Sequence, residues 1–133
     1  MAPMSLRWLG YLAGLAYWFA LSGVAQAQTA AAGKSLYTSY CAACHGDQGK
    51  GDGVAARSLP VKPADHTNGT VMNQFSDKFL TDIITRGGSA VNKSAFMPAW
   101  GSSLNNKQVS DIVAYLRSIA NPPYNKAEKT GVK

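Results

Sequence analysis

Cys41 and Cys44 are the only cysteines in the chain, and His45 follows the second of them directly. Two thiols three positions apart share one face of a helical turn, with the imidazole beside them. A disulfide across two intervening residues would close a very short loop and add little stability. A thioredoxin-like redox pair needs a βαβ context, and no strand pattern stands out. A structural zinc site needs four ligands, for which Cys41, Cys44, His45 and His66 are the most the chain can offer. The remaining chemistry is the covalent attachment of a haem. Cys41 and Cys44 would form thioethers to the porphyrin vinyl carbons, and His45 would coordinate iron from the same side.

A haem held by His45 leaves the opposite iron position to be filled, and what fills it separates an electron carrier from an enzyme. The candidate donors after His45 are Met97, Met72 and His66. Met97 precedes Pro98, which pushes it to an extended conformation and gives a stiff, non-helical strap presenting a thioether. An ordinary core methionine is its plainer reading. Met72 lies beside Asn73-Gln74, close to a helix, and reads as packing; His66 sits in the polar turn Ala64-Asp65-His66-Thr67-Asn68 and reads as a solvated surface imidazole. With His45 and Met97 both on the iron, oxygen and peroxide have no easy binding site, so no catalytic residues are expected. Thioether ligation favours the ferrous state and raises the potential.

Three helical segments must position these residues. The first runs from about Ala30 to Cys44, with Gly33, Tyr37 and Cys41 on one face. The second follows Ser76 as N-cap, carries Phe79, Leu80, Ile83 and Ile84 as an apolar stripe, and closes with Arg86 and Gly87-Gly88. The third starts at Asn105 with Gln108 as capping-box partner, and buries Val109, Ile112, Val113, Leu116 and Ile119 until Pro122-Pro123 stop it. Between His45 and Ser76 lies a long segment without sustained periodicity, rich in glycine and carrying Pro60 and Pro63. A loop of that length normally has nothing to pack on. A haem supplies the missing apolar core, so the expected fold class is all-α: three main helices and long loops wrapped around one haem.

The 133 residues suffice for one domain. Residues 1–27 read as a signal peptide: Arg7 precedes the uncharged run Trp8–Ala25, Ser22-Gly23 breaks any helix, and Ala25-Gln26-Ala27 offers a cleavage site. The run also just reaches spanning length, so a retained membrane anchor is the rival reading. In both cases residues 28–123 form the haem domain on the periplasmic side, and residues 124–133 a flexible polar tail with Lys126, Lys129 and Lys133. The formal charge of +6 is spread along the chain with no dense run. That pattern argues against nucleic acid as a partner. It suits either a docking face for an acidic redox protein or membrane surface, or a plainly solvated exterior.

The residues resemble class I c-type cytochromes of the bacterial monohaem kind. The likeness runs from Gly33 and Tyr37 through Cys41-Ala42-Ala43-Cys44-His45-Gly46 and Gly49-Lys50-Gly51-Asp52-Gly53-Val54-Ala55-Ala56. It continues in Met97-Pro98-Ala99-Trp100 and Val113-Ala114-Tyr115-Leu116. The resemblance implies His45 as proximal and Met97 as distal ligand, a haem propionate near Trp100, and a crossing of the first and last helices with Gly33 against Tyr115 or Leu116. Trp100 also reads simply as a large side chain capping the core. Many relatives have proline where Val54 stands, so a looser loop is expected there, with a nearby main-chain carbonyl accepting the Nδ1 proton of His45. The function so implied is single-electron transfer between redox partners in the periplasm. The alternatives are a dedicated cytochrome subunit of a membrane-associated oxidoreductase complex, or a haem enzyme or ligand sensor with an open sixth position.

Overall fold

The computed structural model describes residues 29–125, and no strand occurs among them. In chain order the helices are α1 (residues 29–40), α2 (Ala42–His45), α3 (Gly69–Met72), α4 (Asp77–Arg86) and α5 (Asn106–Ile119), with 3₁₀ turns at Val54–Ser58 and Gly88–Val91. The expected all-α class therefore holds. The expected signal peptide or anchor, and the tail lysines, lie outside the described residues. No helix among the described residues is long and apolar enough to cross a membrane.

Local chemistry sets the ends of the two main C-terminal helices. Ser76 caps α4 by accepting from the Phe79 amide at 3.1 Å. Asn105 and Gln108 form the full capping box of α5, each side chain accepting from the other's backbone N–H at 2.9 Å. Such caps satisfy amides that a helix start leaves without partners. The first expected helix is in fact two, because Cys41 interrupts it with a turn before α2 begins. The long loop is also less irregular than expected. Asn68 caps α3, accepting from the Val71 amide at 3.3 Å. Four residues are too few to show a period, so α3 left no pattern to read.

α1 and α5 cross at Gly33. A Cβ there would lie 1.9 Å from the Asp111 carbonyl oxygen and 3.0 Å from the Tyr115 Cβ, so only glycine permits this approach. Tyr37, one turn further along α1, is fully buried against the same helix, its ring 5.1 Å from that of Tyr115. The core continues through Val109, Ile112, Val113 and Leu116 of α5, Leu80 and Ile84 of α4, and Leu104. Fully burying a side chain such as Ile112 contributes about 1.5–3 kcal/mol.

Arg117 ties the C-terminal helix to the loop before α4. Its guanidinium donates to Asp77 Oδ1 at 2.9 Å, to the Met72 carbonyl at 3.0 Å and to the Phe75 carbonyl at 2.6 Å. It also lies 3.7 Å above the Tyr124 ring. Tyr124 is thus held by a cation–π contact.

Candidate functional site

The loop that follows α2 folds back so that α1, α2, α4 and α5 surround one cleft. A cavity of about 350 Å³ opens there, within the range of small-molecule sites. Its walls bring together Cys41, Cys44, His45, Met97 and Trp100, the five residues singled out from the sequence. The remaining lining is mostly apolar or aromatic, from Tyr40, Phe75, Phe79, Ile83, Ile84 and others. No disulfide joins the two cysteines. Burial, reinforced by the neighbouring Cys44, pushes the Cys41 thiol up to about 12, which keeps it protonated.

His45 is the last residue of α2, and its Nδ1 lies 3.1 Å from the Ala64 carbonyl. A carbonyl only accepts, so Nδ1 carries the proton and the lone pair is left on Nε2. Burial lowers the imidazole pKa, opposed in part by this bond. The sequence pointed to an acceptor near Val54. The structure corrects this: the carbonyl is ten residues further on, where the chain returns beneath the ring. Val54 opens a 3₁₀ turn and is 85% exposed.

Met97 sits on a strap fastened to the end of α4. Trp100 N–H donates to the Ile84 carbonyl at 2.9 Å, Gly101 N–H to the Thr85 carbonyl at 3.0 Å, and Gly88 N–H to the Met97 carbonyl at 2.9 Å. Gly87 makes the close approach possible: its φ of +80° is a glycine conformation, and a Cβ would lie 3.0 Å from the Met97 carbonyl oxygen. Trp100 is half-buried and meets Tyr40 edge-on at 5.3 Å. Met72 is a core residue, 3% exposed, as its sequence setting suggested.

His66 is the largest departure from the sequence reading. It is not a solvated surface imidazole. Its ring stacks on that of His45, with centroids 4.2 Å apart and planes at 21°, and its Nδ1 is 2.9 Å from the Tyr37 hydroxyl. Burial and then the adjacent His45 push it down to about 3, so it is neutral. No local signal in Ala64–Asn68 announces this, because the partners come from α1 and α2. The stacking also puts His66 in the same wall as His45.

The donor set fits a c-type haem: two thiols, an imidazole with an available Nε2 and a thioether line one largely apolar cleft. Comparison with known proteins agrees. Residues 28–116 match the family described as cytochrome c oxidase, cbb3-type, subunit III. Subunit CcoP of a cbb3-type cytochrome c oxidase from Azospirillum sp. (strain B510) is 33% identical over 77% of this chain and 33% of its own length. A subunit of the nicotinate dehydrogenase of Pseudomonas putida is 29% identical over 64% of this chain, which is 7% of that protein. The chain thus spans about a third or less of these relatives. Among solved structures, the reducing HAO-like protein complex Kustc0457/Kustc0458 of Kuenenia stuttgartiensis superposes with a TM-score of 0.56 at 27% identity, over 71% of this chain and 46% of that one. The matched segment contains both thiols, His45 and Met97, and the helical cleft holds them together: this chain belongs to the cbb3-type cytochrome c oxidase subunit III family, as a c-type cytochrome domain for which haem c is the implied cofactor.

Proposed function

We propose that the chain is the electron-transfer cytochrome of an oxidoreductase complex, with one haem c held by thioethers from Cys41 and Cys44 and by His45 and Met97 as axial ligands. The observation that carries this reading is the convergence of all four residues on one apolar cleft, with Met97 on a strap pinned to α4. The haem supplies a one-electron Fe(III)/Fe(II) couple. The protein's part is to hold ligands still and keep water out. Ala64 orients His45 through the Nδ1 bond, and the Gly87-Gly88 approach fixes Met97. Trp100, at the cleft wall beside Tyr40, is assigned to the propionate edge. With both axial positions occupied by protein, electron transfer needs little rearrangement, and the chain is a carrier of electrons with no catalytic chemistry of its own.

The relatives named as oxidase and dehydrogenase subunits support a dedicated subunit over a free shuttle. The amino-terminal segment, as an export signal or retained anchor, puts the cleft on the periplasmic side.

The test is the near-infrared spectrum of the ferric holoprotein, where an iron–thioether bond gives a weak band. Met97→Ala should abolish that band, admit cyanide or carbon monoxide, and lower the midpoint potential by on the order of 0.1 V, within the roughly 0.8 V that axial ligands span. An unchanged band and potential would remove Met97 from the iron. Native protein that migrates without any larger redox partner would remove the complex.

A further inference from the structure

Four rings form a column from the helix crossing to the iron-binding imidazole. Tyr115 of α5 packs on Tyr37 of α1 at 5.1 Å, Tyr37 meets His66 edge-on at 5.7 Å, and His66 stacks on His45 at 4.2 Å. The column is tied together by polar contacts too. The His66 backbone N–H donates to the Gly49 carbonyl at 2.6 Å, and the His66 ring pairs with the Tyr37 hydroxyl at 2.9 Å. Gly49 suits this turn because its φ of +78° is a conformation that favours glycine. Tyr37 itself is fully buried, so its ring is a fixed post.

We infer that His66 is a positioning residue for His45, holding the plane of the axial imidazole by stacking on its face while anchored to the Tyr37 hydroxyl. The inference rests on the haem reading above. The Nδ1–H bond to Ala64 fixes one edge of the His45 ring but leaves tilt about that bond free. A flat ring 4.2 Å from its face, itself held at backbone and side chain, removes that freedom. Partners behind a metal-bound histidine set its orientation and basicity in this way. An aliphatic side chain at position 66 would fill similar space, yet it would offer no flat face to His45 and no partner to the buried Tyr37 hydroxyl.

The experiment uses ferric holoprotein and two signals that report the axial imidazole: the haem-methyl shifts in the proton NMR spectrum and hydrogen exchange at His45 Nδ1. His66→Leu should redistribute the methyl shifts and speed that exchange roughly tenfold, the low end of the ~10–100-fold by which losing an outer-shell partner weakens metal affinity or activity. The near-infrared thioether band and the covalent haem yield should stay as in the parent. His66→Phe, which restores a flat ring but not the partner of the Tyr37 hydroxyl, should return the methyl pattern only part of the way, to that of Tyr37→Phe. Tyr37→Phe, which removes one hydroxyl and no ring, should move both signals in the direction of His66→Leu, and it decides the question if His66→Leu does not mature. Parental shifts and exchange in His66→Leu, even with a lowered melting temperature, would overturn the inference. So would no change in Tyr37→Phe. A parent chain with covalent haem but no His45–iron signals would overturn the haem reading and this inference with it.

Discussion

Replacing Gly33 by alanine tests whether the α1–α5 crossing sets the stability of the haem-binding scaffold. The new methyl would start 1.9 Å from the Asp111 carbonyl oxygen and 2.5 Å from its carbon, and both are backbone atoms that cannot swing aside. Reaching ordinary contact at 3.4 Å requires the two helices to part by about 1.5 Å. Gaps of 0.5–1 Å already forfeit about a quarter to a half of each dispersion contact, and Tyr37 and Tyr115 meet at this crossing. Overpacking of this kind costs about 1–3 kcal/mol, and the larger figure applies because main chain is struck. Alanine returns about 1 kcal/mol of helix propensity over glycine. The expected net loss is about 2 kcal/mol, or a fall in melting temperature of about 8–16 °C for a domain near 100 residues. The assay is thermal unfolding of the holoprotein followed by circular dichroism, with Ala32→Gly as control. Ala32 is exposed on the same helix, so that variant should lose only the propensity difference, about 1 kcal/mol. A Gly33→Ala protein as stable as the parent, or more so, would refute the reasoning, because it would mean that the crossing adjusts without cost.

Arg117→Ala should lower unfolding free energy by about 2–3 kcal/mol, since three charge-assisted bonds to Asp77, Met72 and Phe75 are lost and the Met72 carbonyl keeps only the Phe75 N–H. Urea denaturation should show a lower midpoint with an unchanged slope. Arg117→Lys should recover only a minor part, because an ammonium cannot reproduce the guanidinium fork; full recovery would show that charge alone matters. Burial raises the pKa of Tyr37 and, in the same direction, that of Tyr115. Both phenols hold their protons to higher pH in the folded chain than in the unfolded one, which loses its own from about pH 10 upward. Their contribution is therefore complete below about pH 10 and falls as pH rises above it. Urea unfolding between about pH 8 and 11 should show a shallower alkaline decline in Tyr37→Phe than in the parent, and parallel declines would contradict the burial argument.

Much of the site was legible because its chemistry is local. Cys41-Ala42-Ala43-Cys44-His45 gathers three of the proposed haem-binding residues in five positions, Ser76 and the Asn105–Gln108 pair mark helix starts within one turn, and the stripe Val109, Ile112, Val113, Leu116 repeats at the period of a helix. Met97-Pro98 read as a strap because proline restricts its own neighbour, while the Gly33 crossing came from family likeness and not from spacing. What decides how firmly His45 is held was not legible. The Ala64 carbonyl, the His66 stack, the Tyr37 hydroxyl and the Arg117 clamp each join residues between 19 and 45 positions apart, or belong to a loop with no period of its own. A polar turn looks the same in sequence whether it faces water or folds beneath an imidazole. Residue type sets which bonds a side chain can make, but only the path of the backbone brings the partner within 3 Å, and that path is a property of the whole packed chain.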